Sequence, residues 1–266
     1  MPLPQPRPGS AALVTGASSG VGVAVARKLA AAGHNVVLLA RRAERLAALA
    51  QELSAQHGVL AEITPCDLSE RESRTATLTA IEQLGMEIDI FASCAGFGMT
   101  GPFHAHAGQQ AVRMVATNLE AVVELTGAVL PAMVQRRRGA ILLVSSLAGA
   151  GPVPGFAAYS ATKAAVTSFG EALHAEVRGY GVSVTVVCPG PIDTEFGAVA
   201  DLDGLMSRTP AFLTATAIGC AAAGLDGLDS GRRVVIPKLA VRALGVFGAY
   251  LPHRLGLPMW RRIFAV

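Results

Sequence analysis

Along the chain, short unbroken apolar runs alternate with longer stretches in which apolar positions return every three or four residues. The runs are Ala11–Thr15, Asn35–Ala40 (NVVLLA), Leu60–Pro65, Ile88–Ser93, Ala140–Ser145 (AILLVS) and Val182–Cys188 (VSVTVVC), with Val234–Ile236 as a shorter last one. Continuously apolar and rich in β-branched residues, they are predicted as strands buried on both faces. The stretches between them, Val21–Ala32, Ala43–His57, Arg71–Leu84, Ala111–Gln135 and Tyr159–Tyr180, have helical periodicity; in the first, Val21, Val25, Leu29 and Ala32 share one face. Regular strand–helix alternation predicts an α/β fold, a single doubly wound parallel sheet with helices on both faces. No repeat or linker divides it, so residues 11–237 are expected to form one catalytic domain. A flexible proline-rich segment (1–10) should precede it and a basic, apolar tail (238–266) should follow.

Composition sharpens this picture in three places. At 266 residues, 52% hydrophobic and 15% charged, the chain can build a core without disulfide staples, and 5% aromatics with so little charge argues against a nucleic-acid surface. The four cysteines, at 66, 94, 188 and 220, form no CxxC pair and read as reduced thiols of a cytoplasmic protein. The six histidines show no metal-binding spacing, so no metal is expected. The net charge of +3 is uneven: Arg232, Arg233, Lys238, Arg242, Arg254, Arg261 and Arg262 have no acidic residue among them, whereas the chain before Ser230 is net acidic. Two readings of the tail stay open. It packs on the domain or a sister subunit, or it lies on a membrane surface with Phe247, Trp260 and Phe264 in the interface. The uncharged stretch 139–162 is as long as a membrane span, but its prolines and glycines suit a strand followed by a loop.

In a doubly wound (Rossmann-type) sheet the ligand lies beyond the strand C-termini. Here the first strand ends in Thr15-Gly16-Ala17-Ser18-Ser19-Gly20-Val21-Gly22 and leads into a helix. Such a glycine turn lets backbone approach a pyrophosphate, and the helix start offers free N–H groups. Nineteen residues beyond Gly22, where an NAD site would carry an acid, stand Arg41 and Arg42. Two guanidiniums there predict a 2′-phosphate partner, hence NADP(H) rather than NAD(H). Further on, Tyr159 and Lys163 are four apart at a helix start, on one face. A tyrosine with pKa about 10 is a poor base at neutral pH, and an ammonium beside it is expected to lower that value.

Taken together, Thr15-Gly16-xxx-Gly20-x-Gly22, Cys66-Asp67-Leu68, Ala95-Gly96, Asn118, Ser145-Ser146, Tyr159-xxx-Lys163 and Pro189-Gly190-Pro191-Ile192-Asp193-Thr194 resemble the motif series of the classical short-chain dehydrogenase/reductase family, in order, from Ala11 to about Pro237. The resemblance implies a catalytic set of Asn118, Ser146, Tyr159 and Lys163. Tyr159 would donate or accept the proton, Lys163 would assist it and bond the nicotinamide ribose, Ser146 would polarise the carbonyl, and Asn118 would hold a relay water. It also implies cofactor contacts at Gly16, Ser18, Ser19, Gly20, Val21 and Gly22 of the turn, at Arg41 and Arg42, at Asp67 and Leu68 beside the adenine, and at Ala95 and Gly96. Pro189, Gly190, Ile192 and Thr194 would complete the nicotinamide end, with Tyr159 and Lys163 shared between cofactor and chemistry.

One departure stands out. Where the family usually reads Asn-Asn-Ala-Gly, this chain has Ser93-Cys94-Ala95-Gly96, with fewer side-chain hydrogen bonds to offer. The expected activity is interconversion of an apolar ketone or aldehyde and its alcohol. Phe196, Val199, Leu202, Leu205, Met206, Phe212 and Leu213 lie in a substrate lid between Asp193 and Thr216. A non-catalytic NADP-binding sensor or membrane-docking module is the alternative, and an epimerase or dehydratase is disfavoured by the short region after Thr194. Family members commonly pair through the helices equivalent to Ala111–Gln135 and Tyr159–Tyr180, so a homodimer or homotetramer is expected.

Overall fold

The computed structural model describes residues 2–105, 108–202, 209–238, 240–243, 254, 257–258 and 261–262. Seven of its strands make one parallel sheet: β1 (Ser10–Thr15), β2 (Asn35–Ala40), β3 (Ala61–Pro65), β4 (Glu87–Ser93), β5 (Gly139–Val144), β6 (Val182–Val187) and β9 (Val234–Val235). Their order across the sheet is β3-β2-β1-β4-β5-β6-β9, so the winding direction reverses between β1 and β4. A separate parallel pair, β7 (Ile192–Asp193) and β8 (Ala215–Thr216), sits beyond β6.

Strand residues alternate between two apolar layers, which is why the runs are apolar at every position. Ala12, Val14, Val36, Leu38, Ile90 and Leu142 face one side. They are covered there by α1 (Gly20–Ala31), α2 (Ala43–His57) and α8 (Ala217–Asp229) through Val25, Leu29, Leu46, Leu53, Cys220 and Leu228. Leu13, Val37, Leu39, Phe91, Ile141 and Leu143 face the other. Here α3 (Arg71–Gln83), α5 (Ala121–Arg136) and α6 (Ala157–Val177) supply Ile81, Leu125, Met133, Val166 and Leu173. The four cysteines are free thiols, three of them buried.

Three features depart from the pattern-based expectation. The helix expected over Ala111–Gln135 is α4 (Gly108–Val115), then a π-helical turn at Ala116–Glu120, then α5. The wide turn accompanies Asn118, whose amide bonds to the backbone of Phe97. Helix α8 carries no clear periodic signal because Gly224 and Gly227 interrupt it. At Gly227 a Cβ would lie 2.3 Å from Val235 Cγ2, so the helix rides close on the sheet and uses small residues to do so. Ahead of β1, Leu3 N–H donates to the Asp229 carboxylate at 2.8 Å, and Arg7 pairs with Glu87 and, at 3.0 Å, with the buried Asp89.

The run Gly108–Arg136 is long and apolar enough to cross a membrane by composition, yet Val122, Leu125, Val129 and Met133 pack on the sheet. Stretch 139–162 forms β5, a loop and the start of α6. The tail lies largely outside the described residues, Phe247, Trp260 and Phe264 included, as do Leu205 and Met206 of the lid.

Candidate active site

The C-terminal ends of β1 to β6 open into a single cavity of about 1240 Å³, above the roughly 300–1,000 Å³ of ordinary small-molecule pockets. Its floor is the glycine turn after β1. Gly16 has φ +68°, and a Cβ there would stand 2.8 Å from Ala95 N. A Cβ on Gly22 would stand 2.3 Å from the Gly16 carbonyl oxygen, so the turn closes on the first turn of α1 only with glycine at both places. Ser18, Ser19, Gly20 and Val21 line the cavity. No side chain caps the start of α1, which leaves its first N–H groups and the positive end of its dipole for an anion.

The end of β4 and the loop after it, with Ser93 and Cys94 where the resemblance implies asparagines, are held from the neighbouring strand. The buried Thr15 hydroxyl accepts from Cys94 N–H at 3.0 Å and from Ala95 N–H at 3.1 Å. The cradle therefore keeps its backbone donors bonded without asparagine amides.

At one end of the cavity four arginines gather. Arg42 donates to Ser18 Oγ at 3.1 Å and to the Ser18 carbonyl at 3.3 Å, and its third nitrogen reaches Glu195 at 2.7 Å. Arg45 reaches the other oxygen of Glu195 at 2.6 Å. Arg41 is exposed, 4.0 Å from Asp67, and Arg113 of α4 bonds Asp67 at 3.2 Å. Burial works against the Asp67 carboxylate, but the Ser69 N–H and hydroxyl, with Arg41 and Arg113 beside it, hold it below its ordinary value. Leu68 lines the wall next to it.

At the other end Tyr159, in the first turn of α6, stands among Phe156 (ring centroids 5.1 Å apart, edge to face) and Phe196 (5.4 Å). Phe196 lies on α7 (Phe196–Val199), directly after β7. Ser146 caps a short 3-10 turn (Leu147–Ala150), accepting from Ala148 N–H at 3.1 Å, and its hydroxyl lies on the Tyr159 side of the cavity, where it favours the phenolate. Ser145 is directed elsewhere, to the Lys163 carbonyl at 2.8 Å and to Thr167. Lys163 Nζ donates to the Val144 carbonyl at 2.9 Å and lies 5.8 Å from the Tyr159 ring centroid. Asn118 accepts from Phe97 N–H at 3.1 Å and donates to the Phe97 carbonyl at 2.9 Å. Gly96 sits against both groups: a Cβ there would be 3.1 Å from Asn118 Oδ1 and 3.2 Å from Lys163 Nζ.

The electrostatics differ from the expected direction. Burial pushes the Tyr159 phenol up to about 12, only partly offset by the nearby Ser146 hydroxyl, and burial pushes Lys163 down to about 8. Desolvation sets the direction for both groups, and Lys163 spends a hydrogen bond on the Val144 carbonyl. Near neutral pH the pair is therefore a neutral phenol beside an ammonium.

Pro189, Gly190, Ile192 and Thr194 close the cavity above, with the Pro189 carbonyl accepting from Leu147 N–H at 2.8 Å. All nominated catalytic and cofactor residues line this one cavity except Gly22 and Asn118, which lie directly behind Gly16 and Gly96. Of the described lid residues, Phe196, Val199, Leu202 and Leu213 line it, whereas Phe212 is exposed away from it. Three further charged groups, Arg45, Arg113 and Glu195, belong to the site or its rim. Arg45 could have been read as one helical turn beyond Arg41; the other two reach in from sequence-distant elements and carry no local signal. The donor set, with a glycine cradle and uncapped helix at the floor and guanidiniums at one end, fits a phosphorylated dinucleotide.

The short chain dehydrogenase family profile matches residues 10–203. A short chain dehydrogenase of Pseudocercospora fijiensis is 35% identical over 204 residues, covering 76% of this chain and 66% of that protein. A very-long-chain 3-oxoacyl-CoA reductase of Anas platyrhynchos is 33% identical over 227 residues, covering 84% and 72%. Among solved structures, a short-chain dehydrogenase from Sphingobium yanoikuyae in complex with NADPH superposes with TM-score 0.81 at 32% identity, covering 94% of this chain and 95% of that one. The chain thus spans just under two thirds of the fungal relative's length.

Replacing Thr15 by valine leaves two backbone donors without their acceptor. Urea unfolding should show a loss of stability of about 2 kcal/mol with unchanged m-value. An unaltered midpoint would remove Thr15 from this role.

Proposed function

The chain belongs to the short-chain dehydrogenase/reductase family, and on that footing we propose that it is an NADP(H)-dependent oxidoreductase interconverting an apolar ketone or aldehyde and the corresponding alcohol. One observation carries this reading: the Ser146, Tyr159 and Lys163 side chains share a cavity with the glycine turn and the arginine cluster. When bound, NADP(H) supplies or takes up hydride at its nicotinamide ring. Ser18, Arg41 and Arg42 would hold the 2′-phosphate, the start of α1 the pyrophosphate, and Asp67 and Leu68 the adenine side.

The protein's own part is to place and protonate an oxygen. Ser146 and Tyr159 present two hydroxyls on the wall of the same cavity, so a carbonyl oxygen set between them gains two donors as negative charge develops. A phenol held neutral at working pH is ready to give its proton in the reductive direction. Lys163, fixed by the Val144 carbonyl, keeps a positive charge near the phenolate that remains. Asn118, locked to Phe97, is assigned the relay water. The substrate end is walled by Phe97, Val153, Phe156, Leu202 and Leu213, which suits an apolar body with a single polar carbonyl. Val112, Val115 and Val123 are exposed along the α4–α5 run and offer a face for a homodimer or homotetramer.

Three outcomes are expected. Tyr159→Phe should abolish carbonyl reduction in an NADPH-oxidation assay while leaving NADPH binding by fluorescence nearly intact; retained turnover would refute the assignment. The charged form of Lys163 dominates below its lowered value and is lost as pH rises through about 8. The reduction rate should therefore be flat near neutrality and fall above about 8, and a profile rising there would contradict this. Arg41→Asp should raise the KM for NADPH far more than that for NADH, and equal effects would defeat the cofactor assignment.

A further inference from the structure

Arg42 and Arg45 flank the end of the cavity where a 2′-phosphate would lie, and neither is idle. Both are joined to one carboxylate, Glu195, whose two oxygens stand 2.7 Å from Arg42 and 2.6 Å from Arg45. Glu195 comes from a different part of the chain from either arginine: it follows β7 and immediately precedes α7. Its carbonyl accepts from Val199 N–H at 3.1 Å, so the residue that holds the arginines is also the first turn of the lid. One residue on, the Phe196 ring packs 5.4 Å from the Tyr159 ring, and a Cβ on Gly98 would meet it at 2.7 Å. The far end of the same segment is tied down separately, by the Thr100 hydroxyl donating to the Ala200 carbonyl at 2.6 Å.

We infer that Glu195 is a specificity-determining residue for the cofactor: its carboxylate occupies the guanidinium donors that a 2′-phosphate needs, so that phosphate displaces it and in doing so loosens the start of the lid. The inference rests on the NADP(H) reading and deepens it. A phosphate monoester carries up to two charges and three acceptor oxygens, against one charge and two oxygens on the carboxylate. It therefore outcompetes Glu195 for the arginines, whereas NAD(H), with a 2′-hydroxyl, has nothing to exchange and leaves the latch shut. All three side chains are about half exposed, so the latch is a weak ion pair in water and its exchange is easy. Glu195 thus sets how much of the phosphate's attraction is left as net affinity, and couples that end of the cavity to the adjacent Phe196, whose ring packs on Tyr159.

The test uses the full chain and direct binding, with no turnover. NADPH and NADH titrations by nicotinamide fluorescence are run on the wild type and on Glu195→Gln. Removing one negative charge close to a solvent-exposed phosphate should tighten NADPH about fivefold and leave NADH within about twofold. In parallel, hydrogen exchange of the amides 196–199 is followed in the unaltered protein with adenosine 2′,5′-bisphosphate and with adenosine 5′-monophosphate, neither of which carries a nicotinamide. Faster exchange with the bisphosphate alone is expected. Equal shifts for NADPH and NADH, weaker NADPH binding in Glu195→Gln, or identical exchange with the two adenosine nucleotides overturns the role of Glu195. If the wild type binds NADH as tightly as NADPH, the cofactor proposal itself falls and this inference goes with it. The exchange measurement needs no variant, so a Glu195→Gln protein that fails to fold leaves the inference open to refutation.

Discussion

The site is organised around a buried hydroxyl that joins two strands at the place where the sheet changes direction. Thr15 ends β1, Cys94 and Ala95 follow β4, and the threonine oxygen takes both backbone N–H groups. Because β1 and β4 are neighbours at the reversal of winding, their two loops must diverge to opposite sides and leave a crevice between them. The hydroxyl fixes the width of that crevice. Gly16 then fits against Ala95 with no room for a side chain, and Gly96 fits against Asn118 and Lys163. The position of the proposed acid–base group is thus referred back, through two close backbone contacts, to the strand order of the sheet.

At the Ser93-Cys94 departure, the two backbone donors of the loop after β4 are satisfied from the neighbouring strand β1. The buried apolar shell around Tyr159 has a second effect. Phe156, Phe196, Met99 and Val153 pack around Tyr159, and this burial raises the phenol's pKa.

Much of the fold was legible because a parallel sheet covered on both faces needs apolar residues at every strand position, as in NVVLLA and AILLVS. The glycine turn and the Tyr159–Lys163 pair were legible because each is local in sequence. What escaped had no local signature. Helix α8 looks like a glycine-rich connection, since close packing on Leu142 and Val235 selects small residues over a periodic stripe. The π turn at Asn118 interrupts a run whose helix propensity is continuous, and the tertiary bond to Phe97 decides it. Arg113 and Glu195 reach the cavity from elements far apart in sequence, and only the folded arrangement brings them to Asp67 and to Arg42 and Arg45. The Tyr159 shift runs opposite to the direction its spacing from Lys163 implies, because spacing reveals the neighbouring ammonium but not the degree of burial.

The claim on which the rest stands is that hydride and proton meet a carbonyl in this one cavity. The most direct measurement supplies the wild-type chain with NADPH deuterated at nicotinamide C4 and a panel of apolar ketones and aldehydes, and reads the label in the products by mass spectrometry. The account predicts an alcohol carrying one deuterium on the former carbonyl carbon for at least one member of the panel. NADPH that binds tightly yet transfers no label to any of them would contradict it.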